Sequence, residues 1–77
     1  MEKHSVQVII EQDEDGRYIA SCPSLQGCYS QGDTLEEALN NVKDVVEMCV
    51  EELKHENKPF DLKYPEVIAI KHLEVAV

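Results

Sequence analysis

Seventy-seven residues confine the chain to one small domain, because separate hydrophobic cores form only in much longer chains. With 43% apolar and 30% charged residues, the composition supports a packed core and excludes an intrinsically disordered chain. Sixteen acidic residues against seven Lys and Arg give a formal charge of −9, which opposes contact with nucleic-acid phosphates or anionic lipid and favours a basic protein as partner.

The longest apolar run is the four residues 67–70 (Val-Ile-Ala-Ile), against the roughly 20 that a bilayer span needs. The start, Met1-Glu2-Lys3-His4, leads straight into an alternating pattern and lacks the charged and apolar regions of a secretory signal. Cys22, Cys28 and Cys49 are odd in number and show no Cys-x-x-Cys spacing. A reducing cytoplasm fits this usage best, and the alternative is a disulfide between Cys22 and Cys28.

Residues 5–11 place Val6, Val8 and Ile10 at a spacing of two, the pattern of a half-buried first strand. Asp15-Gly16 predicts a hairpin, since both residue types tolerate positive φ. A second strand then covers residues 17–22, with Tyr18, Ala20 and Cys22 on one face, and Pro23 ends it because it has no amide to donate. After a loop over residues 23–27, residues 28–31 form a short third strand before a break at Gly32-Asp33. Thr34 and Glu37 have the spacing of a capping box, which starts a helix.

In that helix Leu35, Ala38, Leu39, Val42, Val45, Val46, Cys49, Val50 and Leu53 recur at helical spacing and share one arc, about 140° wide at 100° per residue. Such a stripe is suited to packing on a sheet. Glu36, Glu37, Asp44, Glu47, Glu51 and Glu52 occupy the other side, offset only by Lys43 and Lys54. After Lys54 the chain breaks into a loop framed by Pro59 and Pro65. A last strand is expected over residues 67–77, with a phase change near Lys71-His72. Leu73, Val75 and Val77 on it are expected to contact another subunit, because an uncovered apolar strand is normally hidden by pairing.

Catalytic chemistry finds little support. The acidic group Glu11, Asp13, Glu14 and Asp15 lacks the alternating spacing, central Gly and terminal Glu of a calcium loop, and a solvated hairpin tip explains it better. The strand interiors carry no Asp or Glu for a two-metal nuclease. Cys49 lies in the apolar arc of the helix, and His4, His55 and His72 sit at the amino end, in a loop and in the last strand, so no cysteine nucleophile with a histidine base is evident. Gly16, Gly27 and Gly32 are separate and form no phosphate loop. No metal or cofactor is expected.

Taken together, Asp13-Glu14-Asp15-Gly16-Arg17-Tyr18-Ile19-Ala20, Pro23-Ser24-Leu25-Gln26-Gly27-Cys28 and Ser30-Gln31-Gly32-Asp33-Thr34-Leu35-Glu36-Glu37-Ala38 closely resemble the HicB-like antitoxin family. The similarity covers residues 5–54. Gly27 and Gly32 read as turn residues, Thr34 and Glu37 as capping residues, and Ala38 as the point of close approach between helix and sheet. The resemblance implies an α+β fold, β-β-β-α-β, with one amphipathic helix on an antiparallel-rich sheet: a partial ribonuclease-H-like domain spanning residues 1–77. It further implies a non-enzymatic protein that occludes a small basic RNA-cleaving toxin of the HicA type. Asp13, Glu14, Asp15, Glu36, Asp44, Glu47 and Glu51 are the candidate contacts. Longer family members append a DNA-binding module; the 20 residues 58–77 are too few for one, so no operator binding by this chain alone is expected. The alternative is an orphan structural or regulatory homo-oligomer, working through its terminal strand.

Overall fold

The computed structural model describes residues 3–77. Three strands, β1 (Ile9–Gln12), β2 (Tyr18–Ser21) and β3 (Tyr29–Gly32), precede one long helix, α1 (Leu35–His55). The sheet is an antiparallel meander in the order β1-β2-β3. Its register aligns Ile10 with Ala20 and Ala20 with Ser30.

The hairpin between β1 and β2 turns on a three-residue loop. The Gly16 amide donates to the Asp13 carbonyl at 3.0 Å and the Asp13 amide to the Arg17 carbonyl at 2.9 Å, while only Gly16 takes a positive φ, 84°. This is a type I turn followed by a left-handed glycine, a form that restores the strand twist with one special residue rather than two. The Asp13 side chain reinforces it, its Oδ1 accepting from the amides of Asp15 (3.0 Å) and Arg17 (2.9 Å).

β1 and β2 are shorter than the alternation predicts, for a local reason, while β3 keeps its expected length one residue further along. The Cys22 amide donates to the Cys28 carbonyl at 2.9 Å, closing the 23–27 loop, and Pro23 has no amide. The second strand therefore offers nothing for residues 5–8 to pair with, and the ladder starts only at Ile9. The facing pattern holds regardless, since Val6, Val8 and Ile10 all pack against the core.

α1 covers the sheet face that carries Ala20, Ser30 and Gly32, packing over β3 and β2. Thr34 caps it, its hydroxyl accepting from the Glu37 amide at 3.1 Å; only this half of the expected capping box is formed. Gly32 is no turn residue. It ends β3, and a Cβ there would lie 2.6 Å from the Ala38 backbone nitrogen, so it acts together with the fully buried Ala38 to let the first helical turn rest on the strand. The core is Ala20, Cys22, Leu25, Cys28, Ala38, Val42 and Val46, mostly small side chains, as close approach demands.

The helix ends in a Schellman motif. Asn57 takes φ 56°, the Lys58 amide reaches the Leu53 carbonyl at 2.9 Å and the Asn57 amide reaches Lys54 at 3.1 Å. The chain then returns across the core, where Phe60 and Leu62 pack. Ser24 Oγ donates to the Lys63 carbonyl at 3.0 Å and Gln7 Nε2 to the Pro65 carbonyl at 3.4 Å. From residue 58 to 77 there is no helix, strand or turn. The expected last strand over residues 67–77 is thus not formed within the single chain: Ile68, Ile70 and Leu73 are 85%, 80% and 83% exposed. A strand gains its hydrogen bonds only beside another strand, and this segment is laddered to neither edge of its own sheet.

Candidate interaction surface

The acidic residues nominated from the sequence fall into two sets. On α1, Glu36, Asp44, Glu47 and Glu51 are all exposed and, at 100° per residue, share one strip about 80° wide and roughly 22 Å long on the side away from the sheet. Asp13, Glu14 and Asp15 form the hairpin tip. The register Gln12–Tyr18–Gly32 puts that tip at the same end of the molecule as the helix N-terminus. Arg17 Nε pairs with Asp33 Oδ1 at 3.3 Å, linking the foot of the hairpin to the turn that leads into α1. Glu36 therefore lies towards the tip acids, while Glu47 and Glu51 extend towards the other end. Asp13 differs from its neighbours because its Oδ1 is already engaged in the turn, which leaves Glu14 and Asp15 as the outward charges there.

Apolar surface adjoins these charges. Leu35 and Leu39 are 46% and 41% exposed, although both lie in the arc expected to meet the sheet. α1 leans towards β3 and β2 and makes few contacts with β1, and Asn41 Nδ2 draws it to β3 by donating to the Gln31 carbonyl at 2.9 Å. This lean leaves the leucine flank uncovered. The sheet face opposite the helix, carrying Ile9, Ile19 and Tyr29, has no layer over it, and Tyr29 is 65% exposed. Exposed leucine near a carboxylate strip matches the make-up of a protein-binding surface, whereas Tyr29 lies on the opposite side of the molecule.

The cysteines come together where sequence spacing gave no sign of it. Cys22 and Cys28 are buried, Cys49 is partly buried, and all three are free thiols; the anticipated alternative of a Cys22–Cys28 disulfide is not formed. Burial pushes the Cys28 thiol up to about 12, aided by its hydrogen bond to Cys49 and by the nearby Cys49 and Cys22 sulfurs. This is the reverse of an activated nucleophile, which needs its thiolate stabilised. Cys28 and Cys49 also line an open cleft of about 470 Å³ with Leu25, Leu53 and Phe60. Phe60 was not recognisable as packing material, because Pro59 and Pro65 mark its segment as loop and periodicity is absent there. Among the described residues no polar or charged side chain is buried, and no group of three or more His, Cys, Asp and Glu is placed to hold a metal ion. Among them, too, no helix is long and apolar enough to cross a membrane.

Comparison with known proteins agrees in extent with this construction. The family model described as the HicB-like antitoxin of bacterial toxin-antitoxin systems matches residues 6–74. The UPF0150 protein ssr1258 of Synechocystis sp. is 47% identical over 57 residues, covering 74% of this chain and 83% of that protein. The UPF0150 protein ssr1765 of the same organism is 39% identical over 74 residues, 96% of this chain and 90% of the relative. The UPF0150 protein Ta0767 of Thermoplasma acidophilum is 41% identical over 63 residues, 82% and 91% of the two chains. No solved structure matches significantly.

Proposed function

Since the chain belongs to the family of HicB-like antitoxins of bacterial toxin-antitoxin systems, we propose that it binds a small, basic, RNA-cleaving toxin of the HicA type and neutralises it by covering its RNA-binding face. On this reading the whole of residues 1–77 is one antitoxin domain of partial ribonuclease-H-like form, working in the cytoplasm and catalysing no reaction. The observation that carries the proposal is an exposed helical strip of four carboxylates, Glu36, Asp44, Glu47 and Glu51, near uncovered leucines, in a chain whose net charge is −9. A surface that holds RNA phosphates is basic, and a carboxylate strip competes for it.

The mechanism is steering followed by occlusion. Complementary charge raises association rates from about 10⁵–10⁶ towards 10⁸ M⁻¹s⁻¹ at low salt, and the apolar flank, Leu35 and Leu39, then removes water from the contact. The test uses a small basic RNA-cleaving protein of the HicA type as the toxin. Glu47→Lys with Glu51→Lys should slow association at least tenfold at low salt and flatten its salt dependence, and inhibition of RNA cleavage should weaken in parallel. Unchanged association kinetics would remove the helix strip from the interface, and RNA turnover by the isolated chain would overturn the non-enzymatic reading.

A further inference from the structure

Residues 66–77 form an apolar arm that its own domain leaves bare. Val67, Ile68, Ile70, Leu73, Val75 and Val77 are 54% or more exposed. The whole chain exposes 6800 Å², whereas a compact protein of 8.7 kDa exposes about 4,700 Å². Its radius of gyration is 14.8 Å and its longest dimension 47 Å, against about 11.5 Å for the radius of a compact chain of this length. Each molecule thus carries roughly 2,000 Å² more surface than its mass requires. Two molecules hiding that excess would bury up to about 4,000 Å², the range of permanent homodimers.

We propose that the arm is a strand contributed in trans: residues 67–77 of one chain pair with the free edge of β1, and with residues 5–8 before it, in a second copy of this chain. Three features select this arrangement. The arm holds no Gly, Pro, Asn, Asp or Ser, so nothing in it can make the reverse turn that would bring it back onto its own sheet. Its root is fixed, with the Pro65 carbonyl held by Gln7 Nε2 at 3.4 Å, at a point from which the arm leads away from the core. The two edge strands are equally short, four residues each, but on β3 Asn41 already donates to the Gln31 carbonyl at 2.9 Å. The β1 edge is open and continues upstream through residues whose Val6 and Val8 already pack inward.

The residue pattern of the arm fits a strand of mixed burial. Residues 67–70 are apolar on both faces, as a strand covered on both sides requires, while at 71–77 Leu73, Val75 and Val77 alternate with His72 and Glu74. Self-repulsion at −9 per chain does not oppose the pairing locally. The arm carries only Glu66, Lys71 and Glu74, and the dense acids sit on the outer face of α1 and at the hairpin tip. This inference does not depend on the toxin reading, because its readout needs this chain alone.

The test measures the mass of the full chain in solution by light scattering, together with isotope-filtered NOEs on a mixture of labelled and unlabelled chains. The expected result is a dimer or a higher even assembly, with interchain contacts between residues 67–77 and residues 5–12. Ile70→Pro, which removes one ladder amide, and the double substitution Leu73→Glu, Val75→Glu should each halve the mass while keeping the helical circular dichroism, since the arm supports nothing in its own domain. A monomeric native chain, an unchanged mass in both variants, or arm contacts confined to the same chain would overturn the proposal. If the variants lose their helix, the NOE measurement on the native chain decides alone.

Discussion

Replacing Gly32 by Ala tests the way helix and sheet are joined. The added Cβ would lie 2.6 Å from Ala38 N, 2.9 Å from Glu37 Cβ and 3.0 Å from Glu37 C, where unstrained contacts need about 3.4 Å or more. Two of these atoms are backbone of the first helical turn, so no side-chain rotation relieves the clash and α1 must lift by close to 1 Å. Lifting it withdraws Ala38 and Val42, both buried to within 2%, from Ala20 beneath. Overpacking of this kind costs about 1–3 kcal/mol, and the backbone contacts put Gly32→Ala at the upper end. For a chain of this length total stability is only about 4–12 kcal/mol, and each kcal/mol lowers Tm by about 4–8 °C. A fall of about 10–20 °C is expected in thermal unfolding followed by circular dichroism. Gly27 is the control, because a Cβ there meets nothing within 4 Å but its φ is +77°. Its cost is conformational, about 1–2 kcal/mol, so Gly27→Asn should recover part of what Gly27→Ala loses. At Gly32, Asn should be no better than Ala. A Gly32→Ala protein within about 0.5 kcal/mol of the native one, or rescue by Asn at position 32, would refute the close-approach argument.

Three further outcomes follow from local geometry. The Cys28 thiol is held protonated up to about 12 against an ordinary 9.0, so its contribution to stability is complete below pH 9 and is lost between 9 and about 12. Denaturant unfolding should weaken there by roughly 1 kcal/mol per pH unit, and Cys28→Ala should reduce that slope; an identical slope in the variant would contradict it. Asn57→Gly should stabilise the chain by about 0.5–1 kcal/mol in urea unfolding, since Gly accepts the φ of 56° without a Cβ penalty, whereas Asn57→Ala should destabilise it. Thr34→Ala removes the acceptor of the Glu37 amide and should cost about 1 kcal/mol, with Thr34→Ser close to native.

What the linear sequence determined is what depends on neighbours along the chain. Alternation placed Val6, Val8 and Ile10 on one face, Asp15-Gly16 marked the hairpin, and Thr34 with the apolar arc started and oriented α1, because strand period, turn conformation and helix capping are set within a few residues. The antitoxin resemblance rested on those same local stretches, and the family match over residues 6–74 bears it out. Tertiary structure decided what depends on distance in space. Gly32 reads as a turn until Ala38 is seen 2.6 Å from its missing Cβ. Leu35 and Leu39 read as core until the helix is seen leaning towards β3, and the three thiols share no spacing that would announce their meeting. Residues 67–77 are the clearest division. Their composition specifies a strand, but a strand exists only beside a partner, and whether one lies within reach is a property of the folded sheet and its free edges rather than of the order of residues.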